Sequence, residues 1–203
     1  VSNLPVHAIA TAGQRLYVGG DFDAIGGAAM NSIAQWDGSI WSKVGKTGVL
    51  HSDVGAVHAM AASGNDLYVG GYFLKAGRTT ARYIARWDGS AWFALGGGLN
   101  GVVRAIAVSG TDVYVGGEFT NADGVSAGHI AKWNGQSWSA LGSGVEGSVH
   151  SIAMSGNDVY VGGHFTIAGG TTVNHVAKWD GRSWSSLGDG VSGGINGTRV
   201  SAI

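Results

Sequence analysis

The segment L/V-Y-V-G-G-x-F occurs four times in this chain, and W-D/N-G-x-x-W follows each copy about seventeen residues later. The glycine pairs are Gly19–Gly20, Gly70–Gly71, Gly116–Gly117 and Gly162–Gly163. The tryptophan pairs Trp36/Trp41, Trp87/Trp92, Trp133/Trp138 and Trp179/Trp184 use all eight tryptophans. A repeat of this length is one supersecondary unit that cannot bury its apolar face alone and must stack on a neighbour. The 203 residues therefore read as one continuous array. Thirty-eight glycines would suit disorder, but 44% hydrophobic residues held in register argue for an ordered, turn-rich β protein.

Each unit divides into four short runs. The first is V-x-A-I/M-A, at Val6–Ala10, Val57–Ala61 and Val103–Ala107, with V-H-S-I-A at Val149–Ala153. A tight turn follows, S-G-N-D at Ser63–Asp66 and Ser155–Asp158 or S-G-T-D at Ser109–Asp112, where Asn and Asp tolerate left-handed or locally bonded backbone. The second run is L/V-Y-V-G-G, rich in β-branched and aromatic residues, with glycines that admit close approach of a neighbouring sheet. After a longer loop, such as Ala24–Asn31, comes the third run I/V-A-x-W. Asp37–Gly38, Asp88–Gly89, Asn134–Gly135 and Asp180–Gly181 then predict hairpins into the fourth run, x-W-S-x-L/V-G. No useful stretch has helical periodicity. An all-β chain of four-stranded antiparallel units is expected.

These motifs resemble the kelch-type blade, the repeat of the propeller in galactose oxidase. They are closer still to a variant, V-G-G-x-F-x-x-A-G-G followed by I-A-x-W-D-G-S-x-W, of secreted or surface-anchored bacterial propellers and fungal polarity markers. The resemblance spans essentially the whole chain. It implies a β-propeller with blades at about 6–54, 57–101, 103–147 and 149–198, and an extracellular or cell-surface location. It speaks for fold more than activity, since propellers carry both enzymes and inert scaffolds. Many kelch blades have tyrosine where this chain has Trp36 and its equivalents.

A fifth copy of the first run, Val200–Ile203, is surplus to four complete units. It predicts that the chain belongs to a larger ring, completed by further residues or by self-association with a second copy. A self-contained four-blade ring is the competing expectation. Two connections are longer than their counterparts: Lys46–Gly55, which carries His51 and Asp53, and Gly190–Arg199. Loops on a rigid scaffold often hold function, so both are candidates beside a role in ring spacing.

The informative positions are the variable ones inside the constant frame. The second residue of the first run is His7, His58, Arg104 or His150, and the residue after the glycine pair is Asp21, Tyr72, Glu118 or His164. Antiparallel neighbours place the start of the first strand and the end of the second on one rim, which in a propeller is the channel mouth. Histidine with carboxylate could ligate a divalent metal, and histidine with arginine an anion. Solvated rim positions are the plainer reading. A second set ends the long loop: Ser32, Tyr83, His129 and His175, preceded by Asn31, Arg82, Gly128 and Asn174. Tyr83, Arg82, His129, Asn174 and His175 would suit sugar hydroxyls, against the alternative of a solvated loop. The tryptophans, once per repeat at fixed places, read as shared core with buried indole N–H groups rather than sugar platforms.

Catalytic signatures are missing: no G-x-S-x-G elbow, H-E-x-x-H or phosphate loop occurs, and no helix follows the glycines to bind phosphate. Galactose-oxidase copper chemistry needs a cysteine-linked tyrosine, and there is no cysteine. Asp21 and Glu118 are carboxylates that nothing singles out as a glycosidase pair. A net charge of −1 gives no field for nucleic acid, and no apolar run reaches the length of a membrane helix, so neither partner is expected. The reading is a non-catalytic binding or display scaffold, without cofactor, whose protein or carbohydrate partner sits on the loop-bearing face. A lectin-like module and a metal-dependent enzyme at the channel mouth are the alternatives.

Overall fold

The computed structural model describes residues 5–50, 55–192 and 200–202. Among them there is no helix. The chain forms two compact units, Val1–Gly98 and Leu99–Ile203, each carrying two of the repeats.

In repeat 1 the strands are Val6–Ala12, Arg15–Gly20, Ile33–Trp36 and Trp41–Lys43, in sequence order across one antiparallel sheet. Repeat 2 has Ala56–Ser63, Asp66–Tyr72, Ile84–Trp87 and Trp92–Ala94. Repeat 3 has Val103–Ser109, Asp112–Gly117, Ile130–Trp133 and Trp138–Ala140; repeat 4 has Ser148–Ser155, Asp158–His164, Val176–Trp179 and Trp184–Ser186. All four sheets keep the same order. The four runs of the motif are the four strands, and the fold is all-β and propeller-like.

The first turn works differently from expectation, while at the second Gly38, Gly89, Gly135 and Gly181 take the expected positive φ. In the first hairpin Ser63 pairs with Asp66, and it is Gly64, at φ +59°, rather than Asn65 that takes the left-handed backbone. That is the glycine-first pattern of a primed hairpin turn, whose twist matches the strands. In the second, Trp36 pairs with Trp41, so the loop is four residues long and the fourth strand begins at the tryptophan. Asp37 Oδ1 accepts from the N–H groups of Ser39 and Ile40, both at 2.9 Å. Asp88, Asn134 and Asp180 repeat the device. These bonds, first the one from the residue three ahead, hold the carboxyls of Asp37, Asp88 and Asp180 below the ordinary range.

The long loops also contain structure that two-residue strands are too short to announce. Each folds into a small hairpin, such as Lys75–Ala76 on Thr79–Thr80. The connection from repeat 1 contributes Val49–Leu50, which pairs with Lys75–Ala76 of repeat 2. Leu99–Ala122 and Val145–Ala168 bridges are the counterparts in the second unit. Part of the Lys46–Gly55 candidate loop is therefore a stitch to the next repeat. Its His51 and Asp53, and residues 193–199 of the other loop, lie outside the described residues.

Packing between repeats explains the glycine pairs. A Cβ at Gly19 would overlap the side chain of Val57, and one at Gly116 would overlap Val149. Both valines are fully buried, each worth about 1.5–3 kcal/mol of apolar burial. Gly20 and Gly117 face the carbonyls of Pro5 and Val102 as closely, so the second glycine clears its own repeat's first strand. Val200, from the fifth copy of the first run, occupies the same place on Gly162, and its N–H donates to Gly163 O at 3.3 Å.

The tryptophans form the expected shared core. Trp87 and Trp92 pack at 5.2 Å between ring centroids, with Gly45 of the preceding repeat against them. Trp184 Nε1 donates to Leu141 O at 2.8 Å, across repeats, and Trp92 Nε1 to Val44 O at 3.4 Å.

Candidate functional site

The site candidates are set out by a backbone irregularity common to all repeats. Register shifts between Val6 and Ala8, Val57 and Ala59, Val103 and Ala105, and Val149 and Ser151 place a bulge at His7, His58, Arg104 and His150. Bulges re-aim a side chain out of the ladder. Each strand then ends beside the residue that follows the glycine pair, and Asp21 N–H donates to Pro5 O at 3.0 Å as Glu118 N–H does to Val102 O at 2.8 Å.

The two sets of variable positions thereby meet in repeats 1 and 3. His7 Nε2 lies 2.9 Å from Asp21 Oδ2. Arg104 donates twice to Glu118 Oε1, at 3.0 and 2.8 Å. His150 Nε2 instead pairs with Ser148 Oγ at 3.1 Å, a partner that sequence spacing alone could not identify. The loop-ending set lies alongside: Tyr72 and Tyr83 are 6.3 Å apart between ring centroids, and His164 and His175 are 6.0 Å apart. His129 lies close enough to Glu118 to feel its charge. The rows differ in chemistry: Asp21–His7 is hydrogen-bonded, Glu118–Arg104 an ion pair and Tyr72–Tyr83 aromatic.

The loop-ending residues share a further feature. Ser32, Tyr83, His129 and His175 all have positive φ, 62° to 66°, in a region that L side chains enter at a cost of about 1–2 kcal/mol. The backbone needs that turn: Tyr83 N–H donates to Phe73 O at 2.8 Å and Tyr83 O accepts from Gly71 N–H at 3.0 Å, and His129 and His175 bond likewise. Ser32 is buried and donates to Gly55 O, which makes it structural. Tyr83, His129 and His175 are half-buried. Burial holds the His129 imidazole below its ordinary range, while a backbone bond at Gly117 and the Glu118 charge pull the other way. Arg82 is exposed beside Tyr83. Asn174 has a structural duty: its Nδ2 donates to Asp189 O at 2.5 Å, as Asn31 Nδ2 does to Thr47 O at 2.8 Å.

At the turn end of the first unit, Arg15, Asn65, Asp88 and Tyr17 line a shallow polar pocket. Burial pushes the Tyr17 phenol above its ordinary range.

No protein-family model matches the chain, and no curated protein matches it. Among solved structures it is similar to the computationally designed Ika4 protein, at TM-score 0.51 and 16% identity over 88% of this chain and 92% of that one. It is similar also to the computationally designed Ika8 protein, at TM-score 0.53 and 16% identity over 97% of this chain and 64% of that one. At such identity the likeness concerns architecture alone: four repeated four-stranded antiparallel sheets in a propeller-like fold.

Proposed function

We propose that this chain is a non-catalytic, kelch-like propeller scaffold, outside the cell or at its surface, that holds a protein or glycan partner on its loop-bearing edge. The observation that carries the reading is the left-handed backbone at Tyr83, His129 and His175. Glycine would occupy those positions without strain, and this chain uses glycine freely elsewhere. Bulky polar rings kept at a strained position, beside a second ring or a charge in the same row, are what a recognition surface requires. The location rests on the resemblance of the motifs to secreted and surface-anchored propellers.

A glycan array probed with the wild type and with the triple variant Tyr83→Asn, His129→Asn, His175→Asn tests it. Retention of defined sugars by the wild type alone makes the edge a lectin-like site. Retention by both overturns the assignment of the edge. A blank for both directs the partner search to proteins, with the same variant as control.

A second reading concerns self-association. Val6 is 50% exposed and Ile9 66%, whereas Val57, Val103 and Val149, the equivalents of Val6, are fully buried. Trp41 is half-buried where Trp92, Trp138 and Trp184 are buried. Gly188 faces open space, while its equivalents Gly45 and Gly142 face tryptophans of the next repeat. Inside each unit Val57 covers Gly19 and Val149 covers Gly116, so we infer that the exposed faces are covered by further residues of a larger ring or by a second copy of the chain. Sedimentation at a multiple of 20.6 kDa supports the second copy, and a compact monomer contradicts it.

A further inference from the structure

We propose that His7, Asp21 and His58 form a binding site for one late first-row divalent cation, with zinc as its best probe. The site goes beyond the scaffold reading and does not depend on it. Among the described residues these three are the group of His, Cys, Asp or Glu side chains that could hold a metal, and their ligand atoms lie within 4.8 Å of one another. Two imidazoles with one carboxylate suit zinc and its neighbours, which favour nitrogen ligands more than calcium or magnesium do.

The frame brings these residues together from three strand ends. His7 and His58 sit at equivalent bulges of adjacent repeats, and their rings are 5.2 Å apart between centroids at 52°. The packing of Val57 on Gly19 fixes that adjacency. Asp21 follows the glycine pair, anchored through its N–H to Pro5 O. Its Oδ2 already lies 2.9 Å from His7 Nε2. Around a tetrahedral zinc with bonds of about 2.0–2.1 Å, ligand atoms stand about 3.3 Å apart. Small rotations of three side chains that are exposed or half-buried cover the difference. The exposed side leaves room for water to complete the shell.

The other unit provides an internal comparison. At the matching positions of repeat 3, Arg104 neutralises Glu118 directly. A guanidinium has no lone pair to offer a metal, whereas an imidazole does. In repeat 4 the row is His150 and His164 without a carboxylate, and Ser148 engages His150 Nε2. Among the described residues, two imidazoles and a carboxylate come within reach of one metal in the row shared by repeats 1 and 2.

Equilibrium dialysis of the full chain against micromolar zinc reads the proposal, with cobalt absorption spectra as a second probe of imidazole ligation. One zinc per chain is expected. Loss of even an outer partner weakens metal sites by about 10–100-fold, so His7→Ala, His58→Ala and Asp21→Asn should each weaken binding at least tenfold. His164→Ala should bind as the wild type does. His7→Gln and His58→Gln, checked by circular dichroism for retained fold, guard against a folding defect in the alanine variants. No zinc retained by the wild type, or affinity unmoved by the His7 and His58 substitutions, overturns the site.

Discussion

Gly19 and Val57 are in such close contact that a single methyl group on the glycine would occupy the space of the valine side chain. The same relationship recurs between Gly116 and Val149. It joins two repeats at the level of one hydrogen atom, so Gly19 and Gly116 are packing requirements rather than turns.

Gly116→Ala should therefore destabilise the chain by about 1–3 kcal/mol, the usual cost of overpacking a filled core. Val149→Ala alone should also cost about 1–2 kcal/mol, through lost burial and a cavity. The double variant should recover part of the sum, because the smaller valine replacement makes room for the new methyl group. Urea unfolding of the four proteins measures the coupling, and strict additivity would show that the two residues do not compete for space.

The tryptophan bond makes a separate prediction. Trp184→Phe keeps an aromatic ring against Trp179 but removes one of the two donors to the Leu141 carbonyl, leaving the Gly144 N–H at 3.0 Å. A loss of about 0.5–1.5 kcal/mol is expected, the net worth of one intramolecular hydrogen bond. A variant as stable as the wild type in urea would mean that the Gly144 N–H bond alone satisfies that carbonyl.

The four-residue turns show what the side-chain oxygen does there. Asn134 accepts the same two N–H bonds as its aspartate counterparts, so Asp88→Asn should leave the melting temperature at neutral pH nearly unchanged. Asp88→Ala, with no acceptor, should lower it. The carboxyl of Asp88 is held below its ordinary range, so its contribution is present above about pH 3.9 and is lost as pH falls through the depressed value. Melting curves from pH 7 down to pH 2 should accordingly be steeper on the acid side for the wild type than for Asp88→Asn. Parallel curves would refute the assignment.

Histidine 129 should impose a second pH dependence. Its imidazole is held below the ordinary range, so as pH falls through about 6.5 the unfolded chain takes up a proton before the folded one does. Stability is therefore full above that pH and declines below it. The melting temperature should drop more between pH 7.5 and pH 5.5 for the wild type than for His129→Asn, whose side chain tolerates the φ of +62°. An equal drop would place His129 outside the titrating groups.

Much of the fold was legible because the repeat printed the same physics four times. Alternation in V-Y-V and the D-G and N-G steps marked strands and turns, and all four sheets follow them. The parts that escaped are local. A two-residue strand such as Lys75–Ala76 has no period to read, and a glycine-first turn cannot be told from an asparagine-centred one by composition. The candidate rows were legible in part: antiparallel pairing placed His7 with Asp21 and Arg104 with Glu118. The tether from Asn174 to Asp189 was not, because it depends on how the loop after the fourth strand folds back.

The central claim is that the constant frame carries stability while Tyr83, His129 and His175 are retained for recognition. Thermal unfolding of the triple variant Tyr83→Asn, His129→Asn, His175→Asn tests it most directly, since asparagine enters the left-handed region more readily than tyrosine or histidine. A melting temperature equal to or above that of the wild type is the predicted result. A fall of more than about 5 °C, equivalent to roughly 1.3–2.5 kcal/mol in a chain of this size, would contradict it and make these rings part of the core.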